Sequence, residues 1–98
     1  MAEIRWSAEA ELWLKEIHEY IAQDNPSAAV NVVLGIYDRA QVLSDHPEIG
    51  YKHQPSQNRN IRVLLYGHYR IAYLVKESGN IDILGVFHSS MEMQRYLL

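Results

Sequence analysis

The sequence predicts an α+β fold, an antiparallel β-sheet with a helical hairpin packed on one face, in the order β-α-α-β-β-β. Three observations predict it. Tyr69 to Phe87 reads YRIAYLVKESGNIDILGVF. Two alternating apolar runs flank Glu77-Ser78-Gly79-Asn80, the pattern of a β-hairpin whose turn holds the one residue that accepts positive φ without strain. Residues 8–43 carry apolar residues at spacings of three and four, broken once by Asp24-Asn25-Pro26. That describes two helices joined by about three residues, which must lie antiparallel. Arg59 to Tyr66, RNIRVLLY, adds a strand just before the hairpin, with Gly67-His68 as the turn.

Each element has its own signals. Ala2, Ile4 and Trp6 alternate in a short first strand, expected to return to the sheet edge. Ser7 is a good helix N-cap, because its hydroxyl can accept an otherwise unpaired amide. Glu9 and Glu11 suit the positive end of the helix dipole. From Ala8 to Gln23, the stripe is Ala10, Trp13, Leu14, Ile17 and Ile21, with Tyr20 at its edge. Asn25 caps a second helix and Pro26 occupies its first turn, where the missing N–H is harmless. That helix is expected over Pro26 to Leu43, with Ala29, Val33, Ile36, Ala40 and Leu43 as its stripe. Val30, Leu34 and Tyr37 widen the stripe, so the helix should touch both its partner and the sheet. Ser44 to Gln57 reads as a loop, marked by Pro47, Gly50 and Pro55. The tail, Ser89 to Leu98, is expected to form one or two helical turns with Met91, Arg95 and Leu98 on one face.

Alternation also sorts the sheet by face. Tyr69, Ile71, Tyr73 and Val75 fall on one side of the first hairpin strand, and Ile81, Ile83, Gly85 and Phe87 on one side of the second. These are expected to be core. The opposite face carries Arg70, Lys76, Asp82 and His88, and Arg62 is expected to join it. This second face is expected to be open to solvent and available for function.

Composition sets bounds. Ninety-eight residues make one domain, residues 1–98, with a modest core. No run of about 18 apolar residues is present, so no membrane span is expected. The opening MAEIRWSAEAE lacks a basic-then-apolar pattern, so no signal peptide is expected. Cysteine is absent, which excludes disulfides and thiolate chemistry and fits a cytoplasmic location. The net charge of −3 argues against a general nucleic-acid binder. Its distribution is uneven. Residues 1–51 hold three basic side chains against nine acidic ones, whereas residues 52–98 hold six against three. That division describes an acidic helical side and a basic sheet side, or it arises by chance.

Two constellations bear on chemistry. His46, His53 and Glu48 share a loop, but their spacing matches no metal-ligand motif, and neither a metal nor a cofactor is expected. Arg62, Arg70, His88, Arg95 and Tyr96 could hold phosphate and move protons. Arginine grips phosphate in a bidentate fork, and histidine titrates near neutrality. From spacing alone the plainer reading is preferred: arginines that solubilise an exposed strand and a histidine that is merely exposed at its end.

WSAEAELWLKEIHEYIAQDNPSAA at the helix hairpin, LSDHPEIGY after it, GHYRIAYLV in the central strand and ILGVFHSSM near the end together carry a resemblance. The chain resembles the RelE/ParE superfamily of type II toxin–antitoxin toxins over nearly its whole length, more closely on the ParE side. The resemblance implies a cytoplasmic bacterial toxin held inactive by a cognate antitoxin, whose flexible segment folds onto the helix hairpin. Trp13, Tyr20 and Tyr37 are the candidate aromatics for that contact, with core packing as their other reading. ParE-like toxins poison DNA gyrase, and that reading gives Arg62, Arg70, His88 and Arg95 a place on the toxic surface. RelE-like toxins cleave mRNA on the ribosome, and that reading puts Arg70 on phosphate with His88 or Tyr96 in proton transfer. His88-Ser89-Ser90 stands where the nucleases carry a further arginine or lysine, and the chain is acidic, so the ParE reading is favoured. A relative that binds an antitoxin without being toxic is the third reading.

Overall fold

A computed structural model describes residues 1–56 and 58–97. The chain runs β1 (Ile4–Trp6), α1 (Ala8–Ala22), α2 (Pro26–Ala40), a 3₁₀ turn (Gln41–Ser44), β2 (Tyr51–Lys52), β3 (Ile61–Tyr66), β4 (Tyr69–Val75), β5 (Ile81–His88) and α3 (Gln94–Leu97). One five-stranded sheet has the order β1-β5-β4-β3-β2. Its only parallel pair among the described residues is β1 with β5; the rest are antiparallel. The α+β class and the order β-α-α-β-β-β stand, with one further short strand in the expected loop. Tyr51 pairs with Val63 and Lys52 with Arg62 there.

Local chemistry accounts for the helices. Ser7 Oγ accepts from the Ala10 amide at 3.0 Å, and Asn25 Oδ1 accepts from the Ala28 amide at 3.1 Å. The second helix ends at Ala40 rather than Leu43, because the chain tightens there into the 3₁₀ turn, which still buries Leu43. Gly67, at φ +56°, opens the two-residue turn between Tyr66 and Tyr69, where a side chain would be strained.

The helix hairpin covers one face of the sheet. Ala10, Leu14, Ile36, Ala40 and Leu43 meet Leu64, Ile71, Tyr73, Ile81, Ile83 and Val86 in the main core. Val30 and Leu34, expected to widen the buried stripe, are instead exposed, because α2 has no neighbour on that side among the described residues.

The opposite sheet face is not open. Ile61, Val63, Ala72 and Phe87 form a second apolar cluster there, closed by Met93 and Leu97 of the tail. The tail's buried residues are these two, while Arg95 is exposed, so the expected Met91–Arg95 face is corrected; Leu98 lies outside the described residues.

A β-bulge decides which side chain joins which cluster. Ala72 pairs with Gly85 and Tyr73 with Ile83, so Leu84 is an extra residue in β5. Beyond it the alternation of β5 reverses. Val86 faces the helices and Phe87 the tail, opposite to the sides their positions in an unbroken strand would give.

Candidate functional site

The bulge, together with the register of β3, separates residues that sequence alternation had placed on one face. Arg62 pairs with Tyr73 and His88 with Tyr69, so both lie on the helix side of the sheet, toward opposite ends. Arg70 pairs with Leu65 and Phe87 and lies on the tail side. The expected common face of Arg62, Arg70 and His88 therefore does not exist.

Arg62 is mostly enclosed by the loop before β2. Its Nε donates to Asn60 Oδ1 at 3.0 Å, and its Nη1 donates to the carbonyls of Gly50 at 2.9 Å and Glu48 at 3.2 Å. The Glu48 carboxylate stands 3.6 Å from Nη2. Its neighbour Tyr73 completes this anchor, because its hydroxyl accepts the buried Gly50 amide at 2.9 Å.

Arg70 is held by the root of the tail. Its Nη2 donates to the carbonyls of His88 and Ser89, both at 3.3 Å, and to that of Met91. Its Nε is buried without a hydrogen-bond partner among the described residues. Two of the three guanidinium nitrogens are thus turned into the protein. Nearby, buried His53 meets Ser56 Oγ at 2.8 Å through Nδ1. Burial, and then the Arg70 charge, push its pKa below the ordinary imidazole value. Tyr96 stacks on Phe87 at 5.5 Å between centroids, and both meet the edge of Trp13, at 5.1 and 4.9 Å. Arg95 sits beside Tyr96 and pairs with Glu92 at 3.2 Å in an exposed position.

On the helix side, a cleft of about 520 Å³ lies between α1 and the ends of β4 and β5. Trp13, Glu16, Tyr20, Tyr69, His88 and Met91 are among its walls. Two of the expected antitoxin-contacting aromatics thus meet one of the expected toxic-surface residues. Tyr20 is 75% exposed, whereas Trp13 is half-buried. His88 is exposed and its Nδ1 accepts from the Ser90 amide at 3.2 Å, which leaves the proton of the neutral ring on Nε2. His68 stacks on it at 6.2 Å, and Tyr69 meets it edge-on at 5.6 Å. Tyr37 does not reach the cleft. It packs on Trp6 at 4.5 Å and donates to the Glu11 carboxylate at 2.9 and 3.1 Å. Burial, with Glu11 adding to it, pushes its hydroxyl pKa up to about 12.

Sequence reasoning put Phe87 in the core but on the wrong side of the sheet, and it did not name Met93 and Leu97, which build the tail side with it. One signal pointed to the reversal of Phe87: Gly85 interrupts the apolar run of residues 83–87, a common mark of a bulge. A Cβ on Gly85 would come within 2.5 Å of the Phe87 ring, so the absence of a side chain lets Phe87 lie across the strand. Among the described residues no three metal-binding side chains cluster.

The geometry describes a small α+β module with a capped sheet, an exposed aromatic cleft beside its helix hairpin and a tail anchored on the far face. Comparison with known proteins identifies the family. A family model described as ParE toxin of type II toxin–antitoxin system, parDE, matches residues 4–93. The chain is 32% identical over 96 residues to the "Putative toxin Y4kP" of Sinorhizobium fredii (strain NBRC 101917 / NGR234), covering 96% of this chain and 95% of that relative. It is similar in fold to a solved structure of the chromosomal ParDE TA system from P. aeruginosa. The TM-score is 0.73 at 23% identity, over 90% of this chain and 96% of that one. The chain belongs to the ParE toxin family of type II toxin–antitoxin systems.

Proposed function

We propose that this ParE-family toxin acts by binding DNA gyrase and trapping its cleaved DNA complex, and that a cognate antitoxin neutralises it. The observation that carries binding over chemistry is the state of Arg70. An arginine that stabilises charge on phosphorus must present its fork to the substrate. Here Nη2 is engaged by carbonyls of the 88–91 segment and Nε is buried. His88, the histidine that the nuclease reading puts in proton transfer, lies on the other side of the sheet. Both argue against the ribosome-dependent mRNA cleavage of the RelE-like toxins.

In this reading the toxic surface takes in the exposed Arg95 and Tyr96 of the tail, with His88 at the strand end. Arg62 and Arg70 contribute by fixing the segments around them. The antitoxin lays an amphipathic segment on the helix hairpin, with an apolar anchor in the cleft of Trp13 and Tyr20. The acidic α1 surface, with Glu9, Glu16 and Glu19 exposed, favours basic residues on that segment's rim. The P. aeruginosa relative in fold is described as part of a ParDE system, which supports an antitoxin partner here. Gyrase and antitoxin are both cytoplasmic, so the proposed action is cytoplasmic as well.

The test is purified chain added to gyrase and supercoiled plasmid. Accumulated double-strand breaks with blocked supercoiling support the reading. Undamaged DNA together with ribosome-dependent mRNA cuts during expression would replace it with the nuclease. No effect on either would leave a non-toxic, antitoxin-binding relative.

A further inference from the structure

We propose that Arg70 is a positioning residue for the C-terminal segment. It clamps residues 88–91 so that the segment reaches across the outer sheet face and presents Arg95 and Tyr96. The segment, rather than the guanidinium, meets the target.

Four observations converge. First, one guanidinium nitrogen gathers three carbonyl groups from the four residues where β5 ends, those of His88, Ser89 and Met91. Hydrogen bonds from a charged donor are about twice as strong as neutral ones, so Nη2 is the strongest polar tie at the segment's root. Second, the backbone ties there are few. The Ser89 amide donates to the His68 carbonyl at 2.7 Å and the Met91 amide to the His88 carbonyl at 3.0 Å, before the short helix begins. Third, the segment's anchor is small. Met93 and Leu97 are its only buried side chains among the described residues, resting on Ile61, Val63, Ala72 and Phe87, and the exposed Tyr96 adds one ring face against Phe87 and Trp13. A four-residue helix has no stability of its own, so its position depends on what holds its root. Fourth, Arg70 is fixed from below: its strand lies at the centre of the sheet, between β3 and β5, and its Nε is sealed in the protein.

The chemistry predicts an order among variants. Methionine at this position keeps length and apolar packing but donates nothing. Lysine keeps the charge and has three N–H donors on one nitrogen, but its flexible stem lacks the planar head and sealed Nε that hold Nη2 beneath these carbonyls. The segment should therefore detach most in Arg70→Met, less in Arg70→Lys and least in the native chain.

The natural absence of cysteine makes this measurable. Met93→Cys places a thiol under the segment, where it is shielded while the segment is docked, and Ala40→Cys places one in the main core. Thiol labelling of the full-length chain then reads each opening separately. Because a charge-assisted hydrogen bond is worth about 1.5–3 kcal/mol, Arg70→Met should speed labelling at Met93→Cys by about tenfold or more. Labelling at Ala40→Cys should stay within about twofold, and Arg70→Lys should fall between. Where Arg70→Met also opens the core probe, Arg70→Lys carries the same comparison. Unchanged labelling at Met93→Cys in both variants would overturn the clamp.

The functional arm rests on the proposed gyrase reading and is separable from it. Gyrase inhibition should fall in the order native, Arg70→Lys, Arg70→Met, in step with segment release. Loss of inhibition with the segment still docked would mean that Arg70 touches the target directly and would overturn the proposal. Should the native chain not inhibit gyrase at all, the labelling result still decides the clamp.

Discussion

Tyr73 shows how a single hydroxyl sets a loop. It is fully buried, and its oxygen accepts the buried Gly50 amide while Arg62 holds the Gly50 carbonyl. Tyr73→Phe keeps the ring and leaves the amide unpaired. It should cost about 1–3 kcal/mol, read as a lower urea midpoint with an unchanged slope. His53 makes a second residue-scale prediction. Its folded pKa is lowered by burial and by Arg70, so the folded chain binds that proton less readily than the unfolded chain. The contribution is complete above the ordinary value of 6.5 and declines as pH falls through it toward the depressed folded value. Melting temperature should therefore drop between neutral pH and about pH 5, and His53→Gln should flatten part of that slope. An equal slope in His53→Gln would assign the acid sensitivity elsewhere.

At the scale of elements, the bulge in β5 is the feature on which the site depends. Period-two alternation identified the strand, its partner and its length, yet a single inserted residue exchanged the sides of Val86, Phe87 and His88. The trigger was visible as Gly85, but a glycine in a strand marks a bulge, a bend or a close approach alike. Only the pairing to β4 distinguishes them. Gly85→Ala should destabilise by about 1–3 kcal/mol, because its Cβ would meet the Phe87 ring. Adding Phe87→Leu should recover part of that loss, so the pair should be less than additive in urea denaturation. Full additivity would show that the ring is not the obstacle. The helices were more legible: Ser7, Asn25 and Pro26 announce both starts, and each cap is formed as its chemistry suggests. Their outer surfaces were less so. Val30 and Leu34 look like core by spacing and are exposed, because periodicity identifies an apolar stripe without saying how much of it a neighbour covers.

For the whole molecule, the proposed partners divide between two faces. The aromatic cleft and acidic α1 lie on the helix side, while the tail with Arg95 and Tyr96 lies across the sheet. Tyr20→Glu adds charge to the cleft at an exposed position and should weaken antitoxin binding by about tenfold or more, with little change in melting temperature. Isothermal titration with the antitoxin checks it, and unchanged affinity would move the contact off this cleft. Removing residues 93–98 should uncover Phe87, Ile61 and Val63. Expected results are loss of gyrase inhibition and increased binding of an apolar dye, while antitoxin affinity survives.

The sequence by itself determined the class, the element order, both helix caps, both glycine turns and the resemblance to the toxin superfamily. These rest on local chemistry, on periods of 2 and 3.6, and on the order of short motifs, all of which are written along the chain. The tertiary structure alone decided that Arg70 and His88 stand on opposite sides of the sheet, that Arg62 ties down a loop and that the second sheet face lies beneath the tail. Each of those depends on strand register and on which segment covers which surface. Register is settled by contacts between residues far apart in sequence, and one extra residue at Leu84 is enough to reverse a face.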